Sequence, residues 1–472
     1  AGAKRAPKDP AFPLQLGRVA LLLGQIDDAH GAFENAAALS RKALDDGGHS
    51  VHTDIYLNAI MHLATLLHKR GDRVRALNYL DEAIRLRDSV EARMLFAECV
   101  RGVTFVKAFP PLRPLMMRAL TEAWIDPAEL ARPTVQQILL DEDFAAAVKS
   151  VVDADDNAVL EEAAVQRITT DPLLLALLGV AIIPDPVLEK VLTRLRRNFL
   201  AAVSAGTDVG PHLFFMAALA NQCFFTEYAY ATSDAENKQI ANLEAAVAKQ
   251  NAPALAVLAA YRALHTLDNA RTLAAQQWPA ELRPVIEHQL IEPAREAGLR
   301  QTIPAITPIT DATSVAVRAQ YEENPFPRWV RARDRHQPKS LAAWVQGHFP
   351  HLPAPQAAYR DPATQVDILV AGCGTGQETA ATATRFQRSD VVAVDLSLTS
   401  LAYAARQMEN LGLKNVTFAQ ADILALEGIG RQFDVVECGG VLHHLADPVA
   451  GWRVLAGLTK PGGYMLMALY SD

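Results

Sequence analysis

Three glycines separated by single residues, Gly372, Gly374 and Gly376, are followed by an acid, Asp395, roughly 20 residues past the turn. Residues 366–371 read as a buried strand running into the glycines, and 391–395 as a second buried strand ending on the acid. Gly372 and Gly374 can take backbone angles closed to other residues and present no Cβ to a ligand. Thr375, Gly376 and Gln377 then open a helix whose first free N–H groups point into the same crevice. A carboxylate at the end of the second strand can accept both hydroxyls of a ribose. Together these residues predict a nucleoside site on a doubly wound sheet. Further on, His443 and His444 follow another strand, and an imidazole's ordinary pKa suits proton transfer near neutrality.

The third glycine decides which nucleoside. A dinucleotide fingerprint, G-x-G-x-x-G, needs glycine three residues after the second, so that the helix packs close to a pyrophosphate. Gln377 stands there, and the pattern is G-x-G-x-G. This resembles the first motif of class I S-adenosylmethionine (SAM)-dependent methyltransferases, whose cofactor carries no phosphate. Residues 415–424 resemble the family's third strand with its terminal acid. The resemblance implies that Asp422 takes the adenine amino group and that Ile423 covers the ring. Residues 433–440 resemble the fourth strand, entering a loop beside the sulfonium with Cys438 and Gly439. Residues 441–448 resemble the following loop of small-molecule and quinone-type methyltransferases, and a turn at 458–463 leads to a fifth strand at 464–469.

The resemblance implies SAM as cofactor, held by Gly372, Cys373, Gly374, Thr375, Gly376, Gln377, Asp395, Leu396, Asp422, Ile423, Cys438 and Gly439. One position departs from the family. Many members carry an acid two residues before the first glycine to hold the SAM amine, and here that residue is Val370. The amine must find another partner, or the cofactor binds more weakly.

Methyl transfer from a sulfonium depends mostly on aligning and desolvating the nucleophile. A base is needed only if the acceptor must lose a proton. His443 and His444 are the candidates, with neither ahead of the other; the competing role is capping the next helix or orienting the loop. The N-P-P-Y/F signature of amino-methylating enzymes is replaced by Glu437-Cys-Gly-Gly, and the paired-glutamate loop of arginine methyltransferases is missing. An oxygen, nitrogen or carbon acceptor remains, on a small molecule or on a protein side chain. The alternative from another class is a non-catalytic SAM-binding scaffold or sensor, which Val370 favours slightly.

The elements that must position these groups occupy the end of a chain of 472 residues, long enough for two or three domains. A net charge of −8 argues against nucleic acid as an obligatory partner, because phosphate binding requires a basic face. The four cysteines, Cys99, Cys223, Cys373 and Cys438, are widely spaced without metal-ligand spacing. No metal is expected, and such cysteines suit a reducing cytoplasm. There is no run of about 18 apolar residues and no cleavable signal, so a cytoplasmic location without membrane contact is expected.

Towards the amino terminus the pattern is helical. A tetratricopeptide repeat (TPR) has a period of about 34 residues, with small residues where two helices touch. A repeat begun at Leu57 places Ile60, Ala64, Leu67, Gly71, Ala76, Leu80 and Ala83 at its packing positions, with Asp88 where proline is usual. Neighbouring units are weaker. A proline- and threonine-rich stretch at 302–310 marks a boundary. It leads to Y-E-E-N-P-F-P-R-W at 321–329, stiffened by two prolines and carrying Tyr321, Phe326 and Trp329. That stretch is expected to fold over the core as part of a lid.

The whole arrangement resembles bacterial TPR-fused methyltransferases. It predicts an α-helical TPR-like region joined to an α/β doubly wound, Rossmann-like domain. The expected divisions are TPR-like repeats at 1–109, a helical middle domain at 110–300, linker and lid at 301–340, and the SAM-binding core at 341–472. A peptide or protein partner at the TPR groove is part of that expectation. The family sheet has seven strands in the order 3-2-1-4-5-7-6. Starting at Ala1 and ending just after the fifth strand, the sequence reads as a fragment with an incomplete core.

Overall fold

The computed structural model describes residues 9–469, apart from 48–49, 156–157, 248–249, 324, 326, 332–337 and 353–356, and apart from the side chains of 245, 357 and 358. Two compact units are present, 1–195 and 196–472. The division falls inside the helix Pro186–Ser204, within the segment expected to form one middle domain.

The helical region expected at the amino terminus is present in the first unit. It opens with α1 (Ala11–Leu22), α2 (Ile26–Asp45), α3 (Ser50–Lys69), α4 (Arg73–Leu86) and α5 (Val90–Arg101), each packed on the next. Ala64, Ala76 and Ala83 are fully buried, and their small side chains let α3 and α4 approach closely. Gly71 takes φ +83° after α3, and Asp72 caps α4 by accepting from Arg75 N. Asp88 is an ion-pair hub. It accepts from Arg93 at 2.5 Å and Arg118 at 2.8 Å, and the Arg93 hydrogen bond holds its carboxyl down at about 2.

In the second unit a set of helices precedes the sheet. Their interior is tied by Gln289, whose Nε2 donates to Ala220 O and Ala259 O, each at 3.1 Å, while its Oε1 accepts from Tyr228 OH at 3.2 Å. Buried polar groups satisfied in this way cost little. The next helix, α6 (Glu292–Arg300), is joined to the sheet domain by a buried guanidinium. Arg406 donates to Glu292 Oε1 at 2.8 Å and Glu296 Oε1 at 2.7 Å.

Five parallel strands, β1 (Val366–Ala371), β2 (Ser389–Asp395), β3 (Val416–Gln420), β4 (Phe433–Gly439) and β5 (Thr459–Ala468), lie in the order β3-β2-β1-β4-β5. Both faces are covered, so β1 reads as continuously apolar apart from Asp367. Ile368 and Val370 pack with residues of α8 (Gln377–Arg385) and α9 (Leu398–Asn410); Leu369 and Ala371 pack on the other face with Leu455 of α10 (Pro448–Gly457). This alternation is the period of two that a sheet imposes.

Two segments differ from expectation. β5 begins at Thr459 rather than after the glycines, because Thr459 pairs with Phe433 before the register jumps to Tyr464 opposite Val435. Pro461–Gly463 bulges out between those pairs, with Gly462 at φ +80°. The stretch at 302–310 docks along β3: Gln420 N donates to Pro304 O at 2.8 Å and Ile306 N donates to Gln420 O at 3.0 Å. That pairing covers the β3 edge at its carboxyl end, Gln420. Among the described residues, no helix is long and apolar enough to cross a membrane.

Candidate active site

The carboxyl ends of β1, β2 and β4 open onto a cavity of ≈ 690 Å³, a usual size for a small-molecule site. Beyond β1 the chain reverses through Gly372, Gly374 and Gly376, at φ +76°, +51° and +82°. Gly372 N and Cys373 N both donate to Val394 O, at 2.8 and 3.0 Å, which pins the turn to β2. A Cβ on Gly372 would lie 2.4 Å from Val441 Cγ2, and one on Gly376 would lie 2.6 Å from Ala404 Cβ. A Cβ on Gly374 would meet nothing within 4 Å. Two of the glycines therefore let the protein close on itself, and Gly374 keeps a face open to the cavity.

Asp395 sits where the second strand ends. Its Oδ2 accepts from Gly374 N at 2.8 Å and its Oδ1 from Ser397 N at 2.9 Å. Burial pushes its carboxyl pKa up, against the backbone N–H groups of Ser397, Gly374 and Leu396. Asp422, 3% exposed, accepts from Leu424 N at 3.0 Å, and Ile423 is buried beside it. Both acids lie on the β2–β3 side of the glycine turn.

Of the residues expected from sequence, Gly372, Cys373, Gly374, Thr375, Gln377, Asp395, Leu396, Asp422, Ile423, Cys438 and Gly439 line the cavity. Gly376 does not: it caps α8 from behind and packs on α9. Burial pushes the Cys438 thiol up to about 12 and the Cys373 thiol well above its ordinary range, which leaves both as small packing groups. His444 lines the cavity and His443 does not; their rings pack with centroids 4.2 Å apart. Partial burial, and then the neighbouring His443, lower the His444 pKa.

One wall comes from outside the sheet. Ser314, Val317 and Tyr321 of α7 (Ala312–Glu323) face the cavity at three- and four-residue spacing, followed by Pro327. Glu322 accepts from Leu398 N and Thr399 Oγ1, each at 2.7 Å, anchoring α7 at the start of α9. Trp329 is 6% exposed, and its Nε1 donates to Thr375 O at 2.8 Å. Thr375 Oγ1 in turn donates to Pro327 O at 2.7 Å, while Trp329 O accepts from Tyr403 OH and Gln407 Nε2, each at 2.6 Å. Phe326 lies outside the described residues.

Beside Glu378 in the first turn of α8, the charged lining residues outside the expected site are Glu437 on β4 and Arg385 at the end of α8. They form an ion pair, and Thr382 Oγ1 donates to Glu437 Oε2 at 2.6 Å. The available signal was Val370, because an acid absent from one strand directs attention to its neighbour.

Residues 368–463 match a family model described as a methyltransferase domain. An uncharacterized protein of Synechococcus sp. is 31% identical over 177 residues, which is 34% of this chain and 38% of that protein. Trans-aconitate 2-methyltransferase of Deinococcus radiodurans is 38% identical over 101 residues, 21% of this chain and 35% of the relative. The chain thus spans well under half the length of these curated relatives. Among solved structures, a SAM-dependent methyltransferase from Clostridium acetobutylicum is 30% identical, with 21% of this chain and 41% of that one covered and a TM-score of 0.20. Residues 368–463 form a class I methyltransferase domain, and its cofactor is S-adenosylmethionine.

Proposed function

We propose that the chain transfers a methyl group from SAM to an oxygen, nitrogen or carbon acceptor. The observation that carries this reading is the open face of Gly374, with Asp395 and Asp422 to one side of it and His444 on the same cavity. The residues suit the cofactor. Asp395 can accept from a ribose, Asp422 from an adenine amino group, and nothing in the turn is shaped for a pyrophosphate, since Gln377 replaces the third glycine. Ser314 Oγ, buried on the cavity wall, has no hydrogen-bond partner among the described residues and is placed to meet a polar ligand. Bound SAM supplies a methyl group whose bond to sulfur breaks as its bond to the acceptor forms, leaving S-adenosylhomocysteine.

His444 is the better placed of the two histidines to take a proton from the acceptor, on an imidazole nitrogen, because it alone reaches the cavity. The role of α7 and the segment through Trp329 is to cover the site and exclude water. Trans-aconitate and ubiquinone biosynthesis appear in relatives' names, which supports a small-molecule acceptor. The helical hairpins of the first unit support a protein acceptor by offering a binding surface of their own. Incubating the chain and a cell extract with methyl-labelled SAM tests the reading and separates these acceptors by whether label enters protein or small molecules. Cofactor binding with no labelled product from any extract would support the scaffold reading instead.

Asp395→Ala is expected to weaken S-adenosylhomocysteine binding by about 1.5–3 kcal/mol, the scale of hydrogen bonds to a charged group. Calorimetry reads this directly, and an unchanged affinity would remove Asp395 from the ribose site. The pH dependence of transfer carries a second signature. His444 acts as a base only when neutral, and its pKa is lowered, so the rate should be full at neutrality and fall as pH drops through a value below about 6.5. His444→Ala should slow transfer and abolish that acidic limb. A limb that survives the substitution would assign the proton to another group.

A further inference from the structure

We infer that Glu437 and Arg385 hold the zwitterionic amino-acid end of the cofactor, Glu437 taking its ammonium and Arg385 its carboxylate. The inference rests on SAM being the ligand of this cavity. Strand order fixes which way such a molecule must run. Asp395 ends β2 and Asp422 follows β3, so a nucleoside held by them lies on one side of the glycine turn. The rest of the molecule crosses the end of β1 and arrives over β4, the strand on the other side. On that side the charged lining groups are the paired Glu437 on β4 and Arg385 on α8, with a second anion, Glu378, in the first turn of α8. A zwitterion needs an anion and a cation held side by side, and among these groups Glu437 and Arg385 are the ones in direct contact.

Register explains why the acid can sit on β4. Val370 and Glu437 are direct partners in the parallel β1–β4 ladder. They therefore lie about 4.8 Å apart on the same face of the sheet. An acid moved from position 370 to position 437 has shifted by one strand, and the longer Glu side chain spans much of that distance. The departure from the family at Val370 is thereby compensated within the same cavity.

The pair is also built as a binding group rather than as a surface contact. Side-chain exposure is 18% for Arg385 and 9% for Glu437, and Thr382 Oγ1 fixes the carboxylate at 2.6 Å. Buried charges of this kind must be paired. Before the ligand enters they pair with each other, and the ligand's own two charges can share them. A guanidinium offers five N–H donors; Glu437 accepts from Arg385 Nη1, and Thr382 Oγ1 accepts from Nη2 at 3.2 Å.

The test compares S-adenosylhomocysteine with 5′-methylthioadenosine, which has the same nucleoside and thioether but no amino acid, by calorimetry on the full chain. The wild type should bind S-adenosylhomocysteine more tightly by roughly 10- to 150-fold, the range of charge-assisted hydrogen bonds. N-acetylated S-adenosylhomocysteine, which lacks the ammonium, should lose most of that advantage. Glu437→Gln should narrow the gap at least about tenfold while leaving 5′-methylthioadenosine affinity unchanged. Equal wild-type affinity for all three compounds would overturn the assignment without touching the cofactor reading, and needs no variant that folds. So would a Glu437→Gln variant that loses both parent ligands equally, since the pair would then be structural only. If the wild type binds none of them, the cofactor reading falls and this assignment with it.

Discussion

Replacing Gly376 with valine should destabilise the second unit by about 2–5 kcal/mol, while the same change at Gly374 should cost only the strain of its left-handed backbone, about 1–2 kcal/mol, and abolish cofactor binding. Both positions hold left-handed backbone, at φ +82° and +51°. That conformation costs a residue with a Cβ roughly 1–2 kcal/mol. The positions differ in what the new side chain meets. At Gly376 a Cβ would fall 2.6 Å from Ala404 Cβ and 3.2 Å from Ala404 Cα, so it strikes the body of α9 rather than a side chain that can swing away. Overpacking of this kind adds about 1–3 kcal/mol. At Gly374 a Cβ meets nothing within 4 Å, and the position lines the cavity. Urea denaturation and titration with S-adenosylhomocysteine, performed on both variants, separate the two roles. Equal loss of stability at the two positions would contradict the division between a packing glycine and a ligand-facing one.

Trp329→Ala should cost about 3–5 kcal/mol, the usual price of deleting a buried large aromatic. The ring is 6% exposed, packs edge-on against Tyr403 with centroids 6.4 Å apart, and belongs to the same core as Val370 and Ala404. Its removal also leaves Thr375 O without the indole N–H, at the centre of the glycine turn. Cofactor affinity should fall along with stability, because Thr375 lines the cavity. The denaturation midpoint checks the first effect and calorimetry the second. A loss below about 1 kcal/mol would mean that the segment around Trp329 contributes little to closing the site.

Much of this arrangement is legible in the sequence, for a physical reason. Strands buried on both faces are mostly apolar, so 366–371 announces itself, and glycine is favoured where φ is positive, as at 372, 374 and 376. Asp395 and Asp422 stand at strand ends, where position along the chain fixes position in the cavity. What the residues alone do not reveal depends on neighbours across the sheet. Val370 looks like a missing ligand until β4 is laid beside β1, because register is set by packing and not by either strand's own pattern. The stretch at 302–310 has the composition of a linker, yet its backbone pairs with Gln420, and backbone hydrogen bonds leave no mark on side-chain pattern. His443 and His444 are chemically identical in sequence, and only the short helical turn Leu442–His444 turns one of them towards the cavity. Gly376 is legible as necessary, but not as serving α9 rather than the ligand.

The central claim is that this cavity is built for a phosphate-free nucleoside carrying an amino acid. Titrating the full chain with S-adenosylhomocysteine and, separately, with NAD by calorimetry tests it most directly. Saturable binding of S-adenosylhomocysteine is expected, with weaker or absent binding of NAD, whose pyrophosphate finds Gln377 in place of the third glycine. Tighter binding of NAD, or no binding of S-adenosylhomocysteine, would contradict it.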